Sequence, residues 1–282
     1  MTISSPVGTV GVYKFTLADV FYGGSSEGVG GTSLGLTWPT PGIYTWTLPR
    51  HDGPLRIYAI AGRGEGAWGL VAASNAGNVR AYIDLADGST LTVVTGEDGV
   101  NNPRTPAGSA GGGPAGSPFH GGPGGTGTGA WGGSGGGGGS GVLLGSTPIL
   151  VAGGGGGAGG NGDASGRGID GGQAGSASGA ATAASTTAAG AAGGGDSTAG
   201  SGHLGGSGRN RTSALGGGGG GGGWFGGGGG SVGGGGASSW YDSAFHAGGT
   251  VDAPFTNGNI VTIEGDWLPP LTGGWSVGFI KF

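Results

Sequence analysis

The chain has 282 residues, and 85 of them are glycine, about 30% against roughly 7% in average proteins. It has no cysteine and a net charge of −5, from 10 Lys and Arg against 15 Asp and Glu. This composition excludes a disulfide framework, a cysteine-ligated zinc site and a thiol nucleophile, and it argues against nucleic acid as a partner. No apolar run is long enough for a membrane helix and no basic segment precedes an apolar one at the start, so we expect neither membrane insertion nor a signal peptide.

The glycine does not follow the pattern of collagen or of a disordered tail. Collagen needs glycine at every third position and abundant proline, but this chain has only 14 prolines and its glycine runs keep no such phase. A solvated disordered chain needs high charge and few large apolar side chains. Here 8 Trp, 8 Phe and 6 Tyr accompany only 9% charged residues, which favours a folded protein.

Glycine is concentrated in the middle of the chain. The first hundred residues contain 18 glycines, the next hundred and fifty contain 62 and the remainder contain 5. We therefore divide the chain into three parts. These are an N-terminal arm at 1–32, a β-sandwich at 33–265 whose glycine-rich zone is about 107–250, and an aromatic C-terminal tail at 266–282.

Alternating apolar and polar residues predict strands before the glycine-rich zone. The predicted strands are Leu34–Trp38, Gly42–Leu48, Leu55–Ala61, Asn78–Leu85 and Thr90–Thr95. The last two flank an Ala-Asp-Gly-Ser turn and are predicted to pair as a β-hairpin. One earlier segment, Lys14–Tyr22, has a pattern that fits a short helix.

Further strands interrupt and close the glycine-rich zone. Val142–Leu144 and Ile149–Ala152 surround a Gly-Ser-Thr-Pro turn and predict a second hairpin, and Asn259–Glu264 predicts the last strand. The short connections between these strands make them antiparallel. The predicted fold class is therefore all-β, an antiparallel β-sandwich.

The glycine-rich zone contains several unbroken runs. They are Gly135–Gly139, Gly153–Gly157, Gly216–Gly223, Gly226–Gly230 and Gly233–Gly236. Oligoglycine can form an extended left-handed helix with three residues per turn and no internal hydrogen bonds, so buried runs must bond to one another. The alternative is a flexible linker. The strands on either side and the tryptophans within the zone favour runs that pack into an ordered slab. Gly175–Gly195 is either a loop that leaves this slab or an extension of it.

Several segments occur in the same order as in one known family. They are GIYTWTLP (Gly42–Pro49) before LRIYAIAGRGEG, AYIDLADGSTLTVVTGEDG (Ala81–Gly99), AWGG (Ala130–Gly133) and VLLGSTPILVAGGGGGAGG (Val142–Gly160). In this order the chain resembles the glycine-rich extracellular domain of the anaplastic lymphoma kinase and leukocyte tyrosine kinase receptors, over roughly residues 33–265. The resemblance implies a jelly-roll or TNF-like β-sandwich interleaved with a bundle of polyglycine II helices.

The chain departs from those receptors because it has no cysteine, no membrane span and no kinase. It looks most like the form of this domain in bacteriophage minor tail proteins, and its glycine and alanine content suits an actinobacterial host. The resemblance implies a virion tail-tip or fibre component that attaches to the host cell, made in the host cytoplasm. The alternative is a purely structural connector or decoration protein that binds other tail subunits.

Motifs for catalysis are weak. Two matches to G-x-S-x-G surround Ser134 and Ser231, but such matches arise by chance in glycine runs, and neither follows a strand and opens a helix. Glu97 and Asp98 fit a solvated turn better than a calcium site. The four histidines are scattered; they are His51, His120, His203 and His246. We expect no enzymatic activity, no cofactor and no bound metal.

Aromatic residues beside the glycine runs are the main functional candidates. The candidate receptor or partner contacts are Trp224, Phe225, Trp240, Tyr241, Phe245 and His246. Aromatic side chains on rigid loops suit stacking on sugar rings or docking to a protein. The alternative is that they cap the glycine slab or pack it onto the sandwich, and Phe119, His120 and Trp131 share this ambiguity.

The C-terminal tail is too apolar for a free tail and is predicted to dock. Its candidate docking residues are Trp267, Trp275, Phe279 and Phe282. The expected partners are other phage tail proteins and a host envelope glycan or protein. Self-association, as a trimer, is expected only by analogy with tail fibres.

Overall fold

The computed structural model describes residues 32–66, 73–102, 105–128, 131–160, 181–212, 215–255 and 259–267. Within these ranges the chain is all-β: ten strands form two antiparallel sheets, and no α-helix occurs. The strands are β1 Thr32–Trp38, β2 Gly42–Thr47, β3 His51–Ile60, β4 Ala76–Ile83, β5 Thr90–Thr95, β6 Ser140–Leu144, β7 Thr147–Ala152, β8 Trp240–Tyr241, β9 His246–Phe255 and β10 Ile260–Trp267. The helix predicted at Lys14–Tyr22, the N-terminal arm up to residue 31 and the tail beyond residue 267 lie outside the described residues.

Each sheet has five strands. Sheet A has the order β1-β10-β3-β4-β9, and sheet B has the order β2-β5-β6-β7-β8. One buried cluster joins them, with Leu55 and Ile57 of sheet A and Val93, Val142 and Leu150 of sheet B all fully buried. Since each such side chain contributes about 1.5–3 kcal/mol on burial, this cluster holds the two sheets together as a sandwich.

The predicted strands all occur, but two strands were missed. β8 has only two residues, and β9 contains two glycines and a proline (HAGGTVDAPF), so neither shows the alternation that marks a strand. β9 is recruited by pairing with β4, for example Val251 opposite Val79. Tertiary pairing therefore overrides weak local preference here.

The hairpin predicted from Asn78–Leu85 and Thr90–Thr95 is wrong. β4 lies in sheet A and β5 in sheet B, so the turn at Asp87 and Gly88 carries the chain from one sheet to the other. The turn residues specify a reversal of direction but not the pairing partner. The hairpin of β6 and β7 is confirmed, with Val142 opposite Leu150 and Gly145 at φ 61° in the turn.

The glycine-rich segments leave the sandwich at one end. β5 and β7 end there and β6 and β8 begin there, because Ser140 pairs with Ala152 and Val151 with Trp240. We call the connected segments the glycine array. It consists of segments 62–66, 96–102, 105–113, 119–127, 131–139, 153–160, 181–184, 190–193, 198–202, 203–211, 215–223, 226–230 and 232–239. The described part of Gly175–Gly195 belongs to the array, since the Gly190 N–H donates to the Gly226 carbonyl at 2.9 Å.

Backbone hydrogen bonds in the array repeat every three residues. In Gly216–Gly223, every N–H donates to another segment, and each third N–H returns to the same one. The segments that accept from this run are 131–139, 203–211 and 232–239. Its carbonyls accept with the same period from 119–127, 153–160 and 226–230. A strand ladder repeats every two residues, so this bonding differs from that of a β-sheet.

Three runs of the array are enclosed by six hydrogen-bonded neighbours each: 131–139, 216–223 and 226–230. Such enclosure requires glycine. A Cβ on Gly221 would overlap the carbonyl oxygen of Gly154, and one on Gly220 would overlap that of Gly227. The long glycine runs of the sequence are therefore a packing requirement, and the close contacts between them offset the entropy cost of ordering glycine.

Outer segments of the array carry a side chain at about every third position. In segment 119–127 these positions are His120, Pro123 and Thr126; in segment 203–211 they include Leu204, Ser207 and Asn210. The two segments run parallel, because the N–H groups of residues 205, 208 and 211 donate to the carbonyls of residues 120, 123 and 126. With three residues per repeat, one position in three can face solvent while the others contact neighbouring segments.

Buried serines connect the two bonding patterns. Hydrogen bonds repeat every two residues in a strand and every three in the array. At the boundary between the two, some N–H groups therefore have no backbone carbonyl within reach. The Gly96 N–H donates to Ser140 Oγ at 2.8 Å, and the Gly153 N–H donates to Ser239 Oγ at 2.9 Å. Both serines are buried, so their hydroxyls supply acceptors that water cannot supply.

The enclosed run gives a stability prediction. Gly221→Ala should lower the free energy of unfolding by about 2–3 kcal/mol, because the added methyl must displace backbone and not a flexible side chain. Urea unfolding monitored by tryptophan fluorescence measures this. Gly35→Ala is the control, since its Cβ would meet the flexible Glu264 side chain at 3.3 Å. Equal losses in the two variants would contradict the role assigned to enclosure.

The serine junction gives a second prediction. Ser239→Ala leaves the buried Gly153 N–H without its acceptor, which should cost about 1–3 kcal/mol of unfolding free energy. Ser146→Ala, in the exposed turn between β6 and β7, should stay within about 0.5 kcal/mol of the wild type. Thermal and urea unfolding of both proteins measure the difference, and a neutral Ser239→Ala would show that the hydroxyl is dispensable.

Candidate functional site

Aromatic side chains gather where the glycine array meets sheet B. Trp224 stacks on Trp240 with ring centroids 3.9 Å apart and planes at 11°, and Phe225 contacts Trp224 edge-on at 5.7 Å. His203 lies 5.3 Å from Trp224 and 5.5 Å from Phe119. We call these five residues the junction cluster. Such stacked and edge-on contacts add about 0.5–1.5 kcal/mol each beyond area burial.

Hydrogen bonds fix the orientation of the cluster. The indole N–H of Trp224 donates to the Thr186 carbonyl at 3.2 Å, and His203 Nδ1 contacts the Trp224 carbonyl oxygen. Nδ1 is therefore the donor in that contact, because a carbonyl can only accept. The Phe225 N–H donates to Ser238 Oγ at 3.1 Å. These bonds tie the turn between runs 216–223 and 226–230 to the segment that enters β8.

The junction cluster covers the outer face of sheet B. Val94, Leu143 and Val151 point away from the main core, and Phe119, fully buried, and Trp224, half-buried, pack on them. Trp240 lies opposite Val151 in the ladder of β7 and β8. The sheet therefore has an apolar cluster on each face, and the outer one is completed by residues from the glycine array.

The structure places the six candidate contact residues in three settings. Trp224, Phe225 and Trp240 come together in the junction cluster, each half-buried. Tyr241 packs against the main core between the sheets. Phe245 ends the short 3-10 turn and His246 begins β9, and their side chains lie outside the described residues. Their assignment as receptor or partner contacts stays a prediction.

The candidate docking residues are placed only at the start of the tail. Trp267 is the last residue of β10, opposite Thr32 of β1 and His51 of β3. Trp275, Phe279 and Phe282 lie outside the described residues. The docking role of the tail stays a prediction.

Sequence reasoning missed His203 as a member of the cluster. It is 21 residues from Trp224 and lies in the turn at the start of segment 203–211, where no periodicity marks it. The one available signal was that His203 and the pair Trp224 and Phe225 both lie at turns between glycine-rich segments. The sequence does not show which of these turns lie at the same end of the array, so it could not bring these residues together.

The carboxylate pair Glu97 and Asp98 is divided by the structure. Glu97 is exposed, whereas Asp98 pairs with Arg63, with Nη2 to Oδ2 at 2.9 Å and the Arg63 backbone N–H to Oδ1 at 2.8 Å. The hydrogen bond with Asp98 raises the pKa of Arg63. Burial raises the pKa of Glu65, whose carboxylate lies 3.6 Å from Arg63. Asp98 therefore ties segment 96–102 to segment 62–66.

The described part of the chain shows no cluster of metal-binding side chains, and one serine of the G-x-S-x-G matches has a structural setting. There, no three His, Cys, Asp or Glu side chains form a group that fits a metal ion. The Ser134 hydroxyl, in one of the G-x-S-x-G matches, is buried and donates to the Gly66 carbonyl at 2.7 Å. This serine supports the packing of the array.

Comparison with known proteins assigns no family to the chain. No family model matches the chain, and no curated protein is significantly similar to it. Among the described residues, no helix has the length and apolar character needed to cross a membrane.

The junction cluster gives a third prediction. Trp224→Ala should lower the unfolding free energy by about 2–3 kcal/mol, since it removes the Trp240 stack and uncovers the outer apolar cluster. Urea unfolding measures the loss, and near-ultraviolet circular dichroism reports the ordering of Trp240. Trp131→Ala is the matched control because Trp131 is 42% exposed, and it should cost less than about 1 kcal/mol. An unchanged unfolding free energy for Trp224→Ala would contradict the structural role assigned to this side chain.

Proposed function

We propose that the segments of the glycine array are polyglycine II helices and that the sandwich is of the jelly-roll, TNF-like type. The three-residue period of the backbone bonds supports the first part, because polyglycine II has three residues per turn and bonds only to its neighbours. The pairing of β1 with β10 supports the second part, whereas the consecutive order of β5 to β8 is simpler than that of a jelly roll.

Together with the order of segments, which resembles that of the glycine-rich domain of bacteriophage minor tail proteins, this architecture favours a non-enzymatic minor tail protein, a tail-tip or fibre component that attaches the virion to its host. The observation that carries the proposal is the closed hydrogen bonding of the enclosed runs. Every N–H from Gly216 to Gly223 has an acceptor in another segment. Such cross-bonding makes the array stiff without a large apolar core, which suits a mount that presents loops at a distance from the sandwich.

A second candidate is the structural connector, which binds only neighbouring tail subunits. The junction cluster favours it. Trp224 has Trp240 against one side, His203 nearby and its indole N–H bonded to Thr186, so much of its binding capacity is used within the chain. In this alternative the host contact belongs to a different tail protein.

Cell binding separates the two candidates. Fluorescently labelled protein, checked for folding by circular dichroism, is incubated with intact actinobacterial strains, and heat-unfolded protein is the control. Attachment predicts saturable binding to some strains, reduced at least about tenfold by Phe225→Ala, which removes an edge-on contact but leaves the Trp224–Trp240 stack in place. Binding only to other purified tail subunits would support the connector and overturn the attachment role.

A further inference from the structure

The outer face of the glycine array formed by segments 119–127 and 203–211 differs from the enclosed runs. In the enclosed run 216–223, each N–H donates to a backbone carbonyl. Along the two outer segments, positions 123, 126, 207 and 210 donate no hydrogen bond to a backbone carbonyl within the described chain. These positions lie three residues apart in each segment, as expected where one residue in three faces away from the array.

Side chains close each of these four positions. Pro123 has no N–H to donate. The Thr126 N–H donates to Asn210 Oδ1 at 2.8 Å, and the Thr126 hydroxyl reaches the same oxygen at 3.1 Å. The Ser207 N–H donates to Thr198 Oγ1 at 2.7 Å, and the Asn210 N–H donates to Asp196 Oδ1 at 3.0 Å. The closure recurs on segment 190–193, where the Ala191 N–H donates to Thr182 Oγ1 at 2.7 Å.

An open row of such N–H groups is a template for another glycine segment. It resembles the edge of a β-sheet, where unpaired backbone groups recruit a further strand and natural proteins block the edge with proline or side chains. The array itself shows that either chain direction is accepted. Run 216–223 is parallel to 131–139 and antiparallel to 153–160, with bonds of 2.7–3.1 Å in both cases.

We infer that Pro123, Thr198, Asn210 and Asp196 close this face against the same face of a second copy of the chain. The second copy is the relevant partner because its own segments 119–127 and 203–211 lie at the outside of its array and repeat the three-residue spacing of backbone groups, whereas its glycine runs are enclosed. The closing groups thus limit the size of the array and prevent growth from molecule to molecule. This inference depends on the hydrogen bonds alone and not on the proposed tail function.

Opening the face tests the inference. The double variant Pro123→Gly, Asn210→Gly restores one N–H and frees another without changing net charge. We expect it to self-associate, with an association constant at least about tenfold above that of the wild type in sedimentation equilibrium over a dilution series. The control is Pro41→Gly, Asn101→Gly, which makes the same chemical changes at exposed positions outside this face. Association in both double variants would show that loss of proline and asparagine, and not the face, is responsible.

Two further variants keep the test decisive. Asn210→Asp retains an oxygen that accepts from Thr126, so Pro123→Gly, Asn210→Asp should associate less than the glycine pair. Because the chain has no cysteine, Thr126→Cys in the opened variant reports contact at this face by disulfide cross-linking. A folded opened variant that stays monomeric, or that cross-links no more than Thr126→Cys alone, would overturn the inference.

Discussion

The backbone hydrogen bond between glycines of neighbouring segments is the interaction on which the structure depends. A glycine run has no side chain to bury and loses more conformational entropy on ordering than any other sequence. It becomes stable only when neighbouring segments satisfy its N–H and C=O groups, and those segments are stable only for the same reason. The array is therefore a cooperative unit. Enclosed runs such as 216–223 are held in place entirely by hydrogen bonds to other segments.

The sandwich supplies the starting order for this unit. β5 and β7 run directly into array segments and β6 and β8 emerge from them, so adjacent segments begin at the spacing of adjacent strands. The change from a two-residue to a three-residue repeat then has to be absorbed within a few residues. Ser140 and Ser239 do this with side-chain oxygens, and the junction cluster covers the apolar face that remains. The sandwich is thus stabilised by apolar packing and the array by backbone hydrogen bonds, and the change between the two takes place within a few residues.

Much of the fold follows from local sequence, and the exceptions have physical causes. The strands with clear alternation were found, since a half-buried strand requires that pattern. β9 was missed because its pairing with β4 stabilises a sequence with little strand preference of its own. The β4–β5 hairpin was wrong because a turn does not encode which sheet the next strand joins. For the candidate site, Trp224 and Trp240 were named, but their stacking could not be known from positions 16 residues apart. His203 was missed because only the folding of the array brings it there.

The uniformity of the enclosed runs has a consequence for how the chain finds its register. A run of identical residues without side chains can slide by one position, with a rotation of about 120°, and form an equivalent set of backbone bonds. Nothing inside Gly216–Gly223 distinguishes one alignment from the next. The alignment must be set at its C-terminal end, where the Trp224 ring stacks on Trp240 and the Trp224 backbone N–H donates to the Ser238 carbonyl at 3.0 Å. The number of glycines in the run then determines where the residues that flank it lie along the array. A gain or loss of one glycine codon would leave the interior intact but shift an aromatic ring by one step along the array.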